Sequence, residues 1–191
     1  MNMIVTSACR DSVSLKPSAS IRATNDLMFR YKAWAVAFSY PDDDFFKFYP
    51  QLQTRRQELS LEYDRLFRQN EIWLYGAEHL AENEFQRSRL LSDIAGFYKA
   101  FGLETYHERP DFLVSELEFM HYLIYKEINA PDAQKRYLCQ DAQKKFFNEH
   151  FYPAAKKITE KIIQQARGSF YIEIARVLLE SLEAEKKVFR G

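Results

Sequence analysis

Apolar residues recur three and four positions apart along most of this chain, the spacing of helices that bury one face. Leu27, Met28, Tyr31, Trp34, Ala35 and Phe38 predict a first helix, capped at Thr24 or Asn25 and running to about Ser39. "YPDDDFFKFYP" breaks it with a short helical turn, and Leu52, Leu59, Tyr63, Leu66 and Phe67 place a second helix over about 51–68. "QNEIWLYGAEH" reads as a loop. Leu90, Leu91, Ile94, Ala95, Tyr98 and Phe101 mark a helix over about 83–101, stopped by Gly102. The next is expected to start at Pro110, a favoured first position, with Leu113, Leu117, Met120, Ile124 and Ile128 as its core stripe. Three more follow at about 132–150, 153–167 and 169–188, divided by Pro153 and Gly168. No alternating strand pattern competes. The pattern predicts an all-α, single-domain helical bundle over 23–191, preceded by a flexible, Ser-rich segment over 1–22.

Composition supports this picture. The chain has 191 residues, enough for one domain with a core, and only five Gly and six Pro interrupt it. Its 27 basic and 27 acidic side chains cancel, which argues against bulk binding of nucleic acid or an anionic membrane surface. The charge is nevertheless segregated. Glu104, Glu108, Asp111, Glu116 and Glu118 stand against the single Arg109, whereas the stretch 132–167 is rich in Lys and Arg. That basic stretch is expected to be a solvated face, or to meet an acidic patch or a phosphate-bearing cofactor. No apolar run reaches the roughly 18 residues of a membrane helix. Cys9 and Cys139 form no metal or redox motif, and a reduced, cytoplasmic protein is the simplest expectation.

Catalytic signatures are missing. There is no phosphate-binding glycine loop and no nucleophile elbow. His79, His107, His121 and His150 include no pair at the i, i+4 spacing of a helical metal site. Asp42, Asp43 and Asp44 suit a helix N-terminus better than a metal. Glu116 and Glu118, two apart on a helix, point away from each other and make a poor acid–base pair. No cofactor is expected, and an enzyme ranks last.

Five segments in order carry a resemblance: "LSLEYDRLF" (59–67), "FYKAFGLE" (97–104), "RPDFLVSELEFM" (109–120), "FFNEHFYPAAKKI" (146–158) and "SFYIEIARVLLE" (169–180). Together they resemble the TorD/DmsD/NarJ family of redox-enzyme maturation chaperones. The resemblance implies a helical bundle that is a monomer or a domain-swapped dimer. It implies a non-enzymatic cytoplasmic chaperone that binds the N-terminal, commonly twin-arginine, leader of a molybdenum or tungsten oxidoreductase catalytic subunit. The client is held until its cofactor is in place, and some members touch the cofactor precursor or a guanine nucleotide.

The leader-binding residues that the resemblance implies are Tyr63, Leu66 and Phe67, with Asp111 and Phe112; the family has His where Phe112 stands. Glu118 joins them as a second carboxylate along the helix. Carboxylates take guanidinium groups in bidentate pairs, and an apolar groove takes a helical leader. Each residue also has a plainer reading. Asp111 suits a first-turn acid facing the helix dipole, Glu116 a structural partner for an arginine, and Leu66 and Phe67 a core. His150 suits a helix end. Twelve Tyr and 16 Phe also fit a helical small-ligand or sensor domain with an aromatic pocket, which is the alternative function.

Overall fold

The structure is a computed structural model that describes residues 19–69, 72–105, 108–165 and 169–190. Cys9, His107, Gly168 and most of the segment expected to be flexible lie outside the described residues. The elements are α1 (Ala19–Phe38), α2 (Asp43–Phe48), a 3-10 turn (Pro50–Arg55), α3 (Arg56–Tyr63), α4 (Ala77–Leu80), α5 (Glu84–Ala100), α6 (Leu113–Ile128), α7 (Ala133–Phe146), α8 (Tyr152–Gln165) and α9 (Phe170–Arg190). Among the described residues there is no strand, only one isolated antiparallel bridge between Tyr75 and Phe112. The all-α expectation is correct.

The core follows the predicted stripes. α6 lies at the centre, packed along α1 on one side and α7 on another, while α8 packs on α9. Tyr31, Trp34 and Phe38 of α1 meet Leu117, Met120 and Leu123 of α6 in one continuous cluster. Phe119 carries an aromatic junction, its ring centroid 4.7 Å from that of Tyr98 and 4.8 Å from that of Phe146, both edge-on. Such geometry adds about 0.5–1.5 kcal/mol per pair beyond the area buried.

Helix ends explain several boundaries. Asp42 accepts hydrogen bonds from the amides of Asp44 and Phe45 and so caps α2, while Asp43 pairs with Arg56 and Asp44 with Lys47. α5 ends as expected at Gly102, the residue with φ of +72°. There the amide of Leu103 reaches the carbonyl of Tyr98 and that of Gly102 the carbonyl of Lys99, the paired closure that a left-handed glycine permits.

Several helix assignments need correction. α1 begins at Ala19, so Thr24 and Asn25 lie inside it rather than capping it. The helix expected over 51–68 is composite: the 3-10 turn, α3, then a π-turn over Asp64–Gln69. α6 begins at Leu113, not Pro110, because 110–113 is drawn into backbone bonds with 74–76. Pro153 does not divide α7 from α8. The chain continues through a π-turn at Phe147–Phe151 directly into α8. A proline ring crowds the carbonyl four residues back, and a widened turn relieves that clash without ending the helix.

The extra residue in this turn also rotates Phe146, Phe147, His150 and Phe151 inward together. His150 is therefore no helix-end residue. Its ring lies 5.3 Å from that of Phe97, and burial lowers its pKa and favours the neutral ring. The lysines and Arg136 of the basic stretch are mostly exposed, as a solvated face requires.

Glu185 of α9 links the termini of the bundle, accepting from the Tyr31 hydroxyl at 2.8 Å. Burial pushes its carboxyl up to about 7, against the Tyr31 hydrogen bond and the Arg30 charge, which both lower it. A raised carboxyl favours the folded state while protonated. That contribution is complete below the ordinary value of 4.5 and is lost as pH rises through about 7. Its size is about 3 kcal/mol. Urea unfolding of the wild type should thus weaken between pH 5 and 8 relative to Glu185→Gln. Parallel stability curves for the two proteins would disprove the assignment.

Candidate functional site

The loop before α4 and the segment before α6 are stitched together. The Gly76 amide donates to the Asp111 carbonyl at 2.8 Å, and the Leu113 amide to the Leu74 carbonyl at 2.7 Å. Gly76 permits this close approach. A Cβ there would stand 2.8 Å from the Cβ of Ala154 in α8, closer than any side chain tolerates. The Tyr75 and Phe112 rings lie against each other at 5.3 Å.

This clasp fixes the Asp111 carboxylate, which is fully buried. Its Oδ2 accepts from the Ala77 amide at 2.9 Å, in the first turn of α4. Both oxygens also accept from one guanidinium: Arg109 Nε at 3.0 Å to Oδ1 and Nη2 at 2.8 Å to Oδ2. The remaining face of Arg109 donates to Glu78 Oε1 at 2.6 Å, and Glu78 Oε2 accepts from Arg87 at 2.9 Å. The guanidinium lies 4.8 Å from the Tyr75 ring centroid, and the Tyr75 hydroxyl donates to Glu108 at 2.8 Å.

Arg109 thus sits in a cradle of two carboxylates and an aromatic face. Its hydrogen bond lowers the pKa of Glu78. Burial, aided by Glu108, pushes the Tyr75 phenol up to about 12, so it remains a donor.

Glu116 lies behind the cradle. It is fully buried, and neither carboxyl oxygen has a hydrogen-bond partner. Burial, then the neighbouring Asp111 charge, holds its pKa well above the ordinary range and favours the protonated form. The expected arginine partner is absent because Arg109 turns to Asp111 instead. Asp111 in turn is not a first-turn acid of α6. It serves the first turn of α4, because the chain is extended at Phe112.

Tyr63, Leu66 and Phe67 are all buried. α3 turns Tyr63 inward and the π-turn after it turns Leu66 and Phe67 inward; Tyr63 and Phe67 pack edge-on at 5.0 Å and Phe67 meets Tyr171 at 5.2 Å. Burial raises the pKa of the Tyr63 phenol, and its ring packs edge-on against Tyr40. Arg68 covers its outer side, 4.5 Å from the Tyr40 ring and 5.8 Å from that of Tyr63. Phe112 is half-buried beside Tyr75. Glu118 stands apart: it turns to α1 and pairs with Lys32 at 2.5 Å.

The fold therefore brings Asp111 and Phe112 together, buries Tyr63, Leu66 and Phe67 in the core and leaves Glu118 elsewhere. Sequence reasoning missed Tyr75, Gly76, Glu78 and Arg109. The available signal was Arg109 itself, the lone base in an acidic stretch and two residues from Asp111.

Among the described residues, no group of three or more His, Cys, Asp or Glu is placed to hold a metal ion, and no helix is long and apolar enough to cross a membrane. Two surface clefts of about 310 Å³ and 290 Å³ are lined largely by charged residues, including Lys157 and Lys161 in the first and Glu58 and Arg65 in the second. Neither resembles an aromatic ligand pocket.

Comparison with known proteins agrees with the motifs. A perchlorate reductase assembly chaperone protein of Dechloromonas aromatica (strain RCB) is 28% identical over 110 residues, 53% of this chain. That match spans 46% of the relative, so the chain covers less than half of it. Residues 43–159, more than half of the chain and including the whole cradle, match the family model described as the nitrate reductase delta subunit. On that match the chain belongs to the nitrate reductase delta subunit family, the NarJ/TorD-type chaperone family that its motifs resemble.

Proposed function

We propose that this protein is a cytoplasmic assembly chaperone for a molybdenum or tungsten oxidoreductase. It binds the N-terminal leader of the catalytic subunit and holds that subunit until its cofactor is inserted. It performs no catalysis, in keeping with the family and with a relative named as an assembly chaperone.

The observation that carries this reading is the cradle: Asp111 and Glu78 around a guanidinium, with the Tyr75 face against it. Planar, bidentate recognition of this kind favours arginine over lysine. A twin-arginine leader offers two such groups followed by an apolar, helix-prone stretch. In this reading Asp111 meets a leader arginine, and Tyr63, Phe112, Leu66 and Phe67 receive the apolar part. The apolar stretch of the leader binds as a helix in a groove. Glu118 joins as an outlying carboxylate once released from Lys32.

The test is a pull-down from cells that are making the client enzyme, with the retained proteins identified by mass. The molybdopterin-type catalytic subunit should be retained with its leader and lost without it. Equal retention of leaderless and intact subunits would overturn leader recognition. A bait that retains no such subunit would overturn the chaperone assignment.

A further inference from the structure

The cradle is already full, and its occupant is part of the chain. Arg109 reaches Asp111 from two residues away, so releasing it requires only rotation of its own side chain. The carboxylates do not depend on it for position. Asp111 is held by the Ala77 amide and by the Gly76–Asp111 backbone bond, and Glu78 keeps Arg87. Arg109 is also the exposed member of its pair, with a third of its side chain accessible while Asp111 is fully buried.

A second observation is that Arg109 leaves polar atoms beside the cradle unsatisfied. Glu116, completely buried beside Asp111, leaves both carboxyl oxygens unpaired. Its Oε2 lies 3.9 Å from where a Cβ on Gly76 would stand, on the same clasp that carries Asp111. Buried acceptors are rarely left without partners. Arg109 thus satisfies Asp111 and Glu78 but leaves the polar atoms of Glu116, beside them, unpaired.

We propose that the cradle is a guanidinium-exchange site. Arg109 is a resident stand-in, and an arginine side chain from the bound leader takes its place on Asp111 and Glu78. This rests on the leader-binding reading for the source of the arginine, but not for the site itself. The exchange replaces one forked pair by a similar one, so it sets selectivity for arginine over lysine rather than bulk affinity. The displaced Arg109 swings to solvent. A leader must compete with it, and the apparent affinity falls by the fraction of molecules in which the cradle is free.

Removing the stand-in separates the two ideas. In Arg109→Ala, N-acetylarginine amide at millimolar concentration should raise the unfolding temperature saturably, while N-acetyllysine amide should not. The wild type, with its cradle filled, should respond little. Equal responses of Arg109→Ala to the two amides, or none to either, would overturn the exchange site. Should Arg109→Ala fail to fold, Arg109→Lys keeps the charge but loses the fork, and the same selective response is expected.

Binding of a labelled twin-arginine leader peptide gives the second readout. Arg109→Ala should bind it about tenfold more tightly than the wild type, and a twin-lysine peptide should lose that gain. Equal affinity of both proteins for the twin-arginine peptide would overturn exchange while leaving leader binding intact. No binding by either protein, with arginine amide still stabilising Arg109→Ala, would overturn the leader reading and leave the guanidinium site standing.

Discussion

Asp111→Ala is expected to lower the free energy of unfolding by about 3 kcal/mol, the scale seen when one partner of a buried ion pair is removed. Three interactions are lost together. The Ala77 amide loses its acceptor, Arg109 loses its fork, and Glu116 loses its charged neighbour. The last change is favourable but small beside the others. Arg109 keeps Glu78 and partial solvent access, which holds the loss below the upper end of that scale. Asp111→Asn retains one acceptor for Ala77 and should cost less, about 1–2 kcal/mol.

Urea unfolding measures both variants. A double-mutant cycle with Arg109→Ala should return a coupling of about 1–3 kcal/mol. A loss below about 1 kcal/mol for Asp111→Ala would show that the carboxylate does not brace the clasp. The structural load also bears on function. Affinity lost in Asp111 variants mixes recognition with scaffolding, whereas changes to the leader arginines leave the protein intact.

Phe119→Ala is the larger expected loss, about 3–5 kcal/mol, or roughly 10 °C in Tm for a chain of this size. Phe119 is fully buried and edge-packed against Tyr98 and Phe146, with Phe101 at 5.8 Å. Its ring is where α5, α6 and α7 meet. Few side chains of α5 are buried apart from Ile94 and Tyr98, so α5 should loosen first and its amides should lose protection from hydrogen exchange. The control is Phe85→Ala. Phe85 stands on α5 but is 79% exposed, and its loss should fall within about 0.5 kcal/mol. Similar losses for the two variants would place the junction elsewhere.

The clasp also explains why a change in the cradle would be felt at α8. Gly76 leaves no space for a Cβ beside Ala154, so α8 packs close against the 74–76 loop. Tyr98 ties α5 to the same segment by donating to the Pro110 carbonyl at 2.8 Å. The cradle segment is therefore in direct contact with both α5 and α8.

The sequence by itself determined the helical class, most stripe residues and the α5 stop at Gly102, because each follows from local spacing or from one residue's backbone freedom. It also determined the family, through motifs held in order. It singled out Asp111 as a carboxylate worth attention. Only the tertiary structure decided what Asp111 touches. The start of α6 moved from Pro110 to Leu113 because backbone groups of 74–76 competed for that segment, and no local pattern records bonds between residues so far apart in the chain.

The π-turns at Asp64–Gln69 and Phe147–Phe151 likewise escaped notice, since one extra residue per turn changes which side chains face inward while keeping nearly helical spacing. Arg109 and Glu78 had no signal as a pair, being 31 residues apart. Their meeting depends on the fold bringing α4 against the segment before α6. Periodicity reports the face a residue shows to the core, but a charged site is made where two such segments cross, and that crossing exists only in three dimensions.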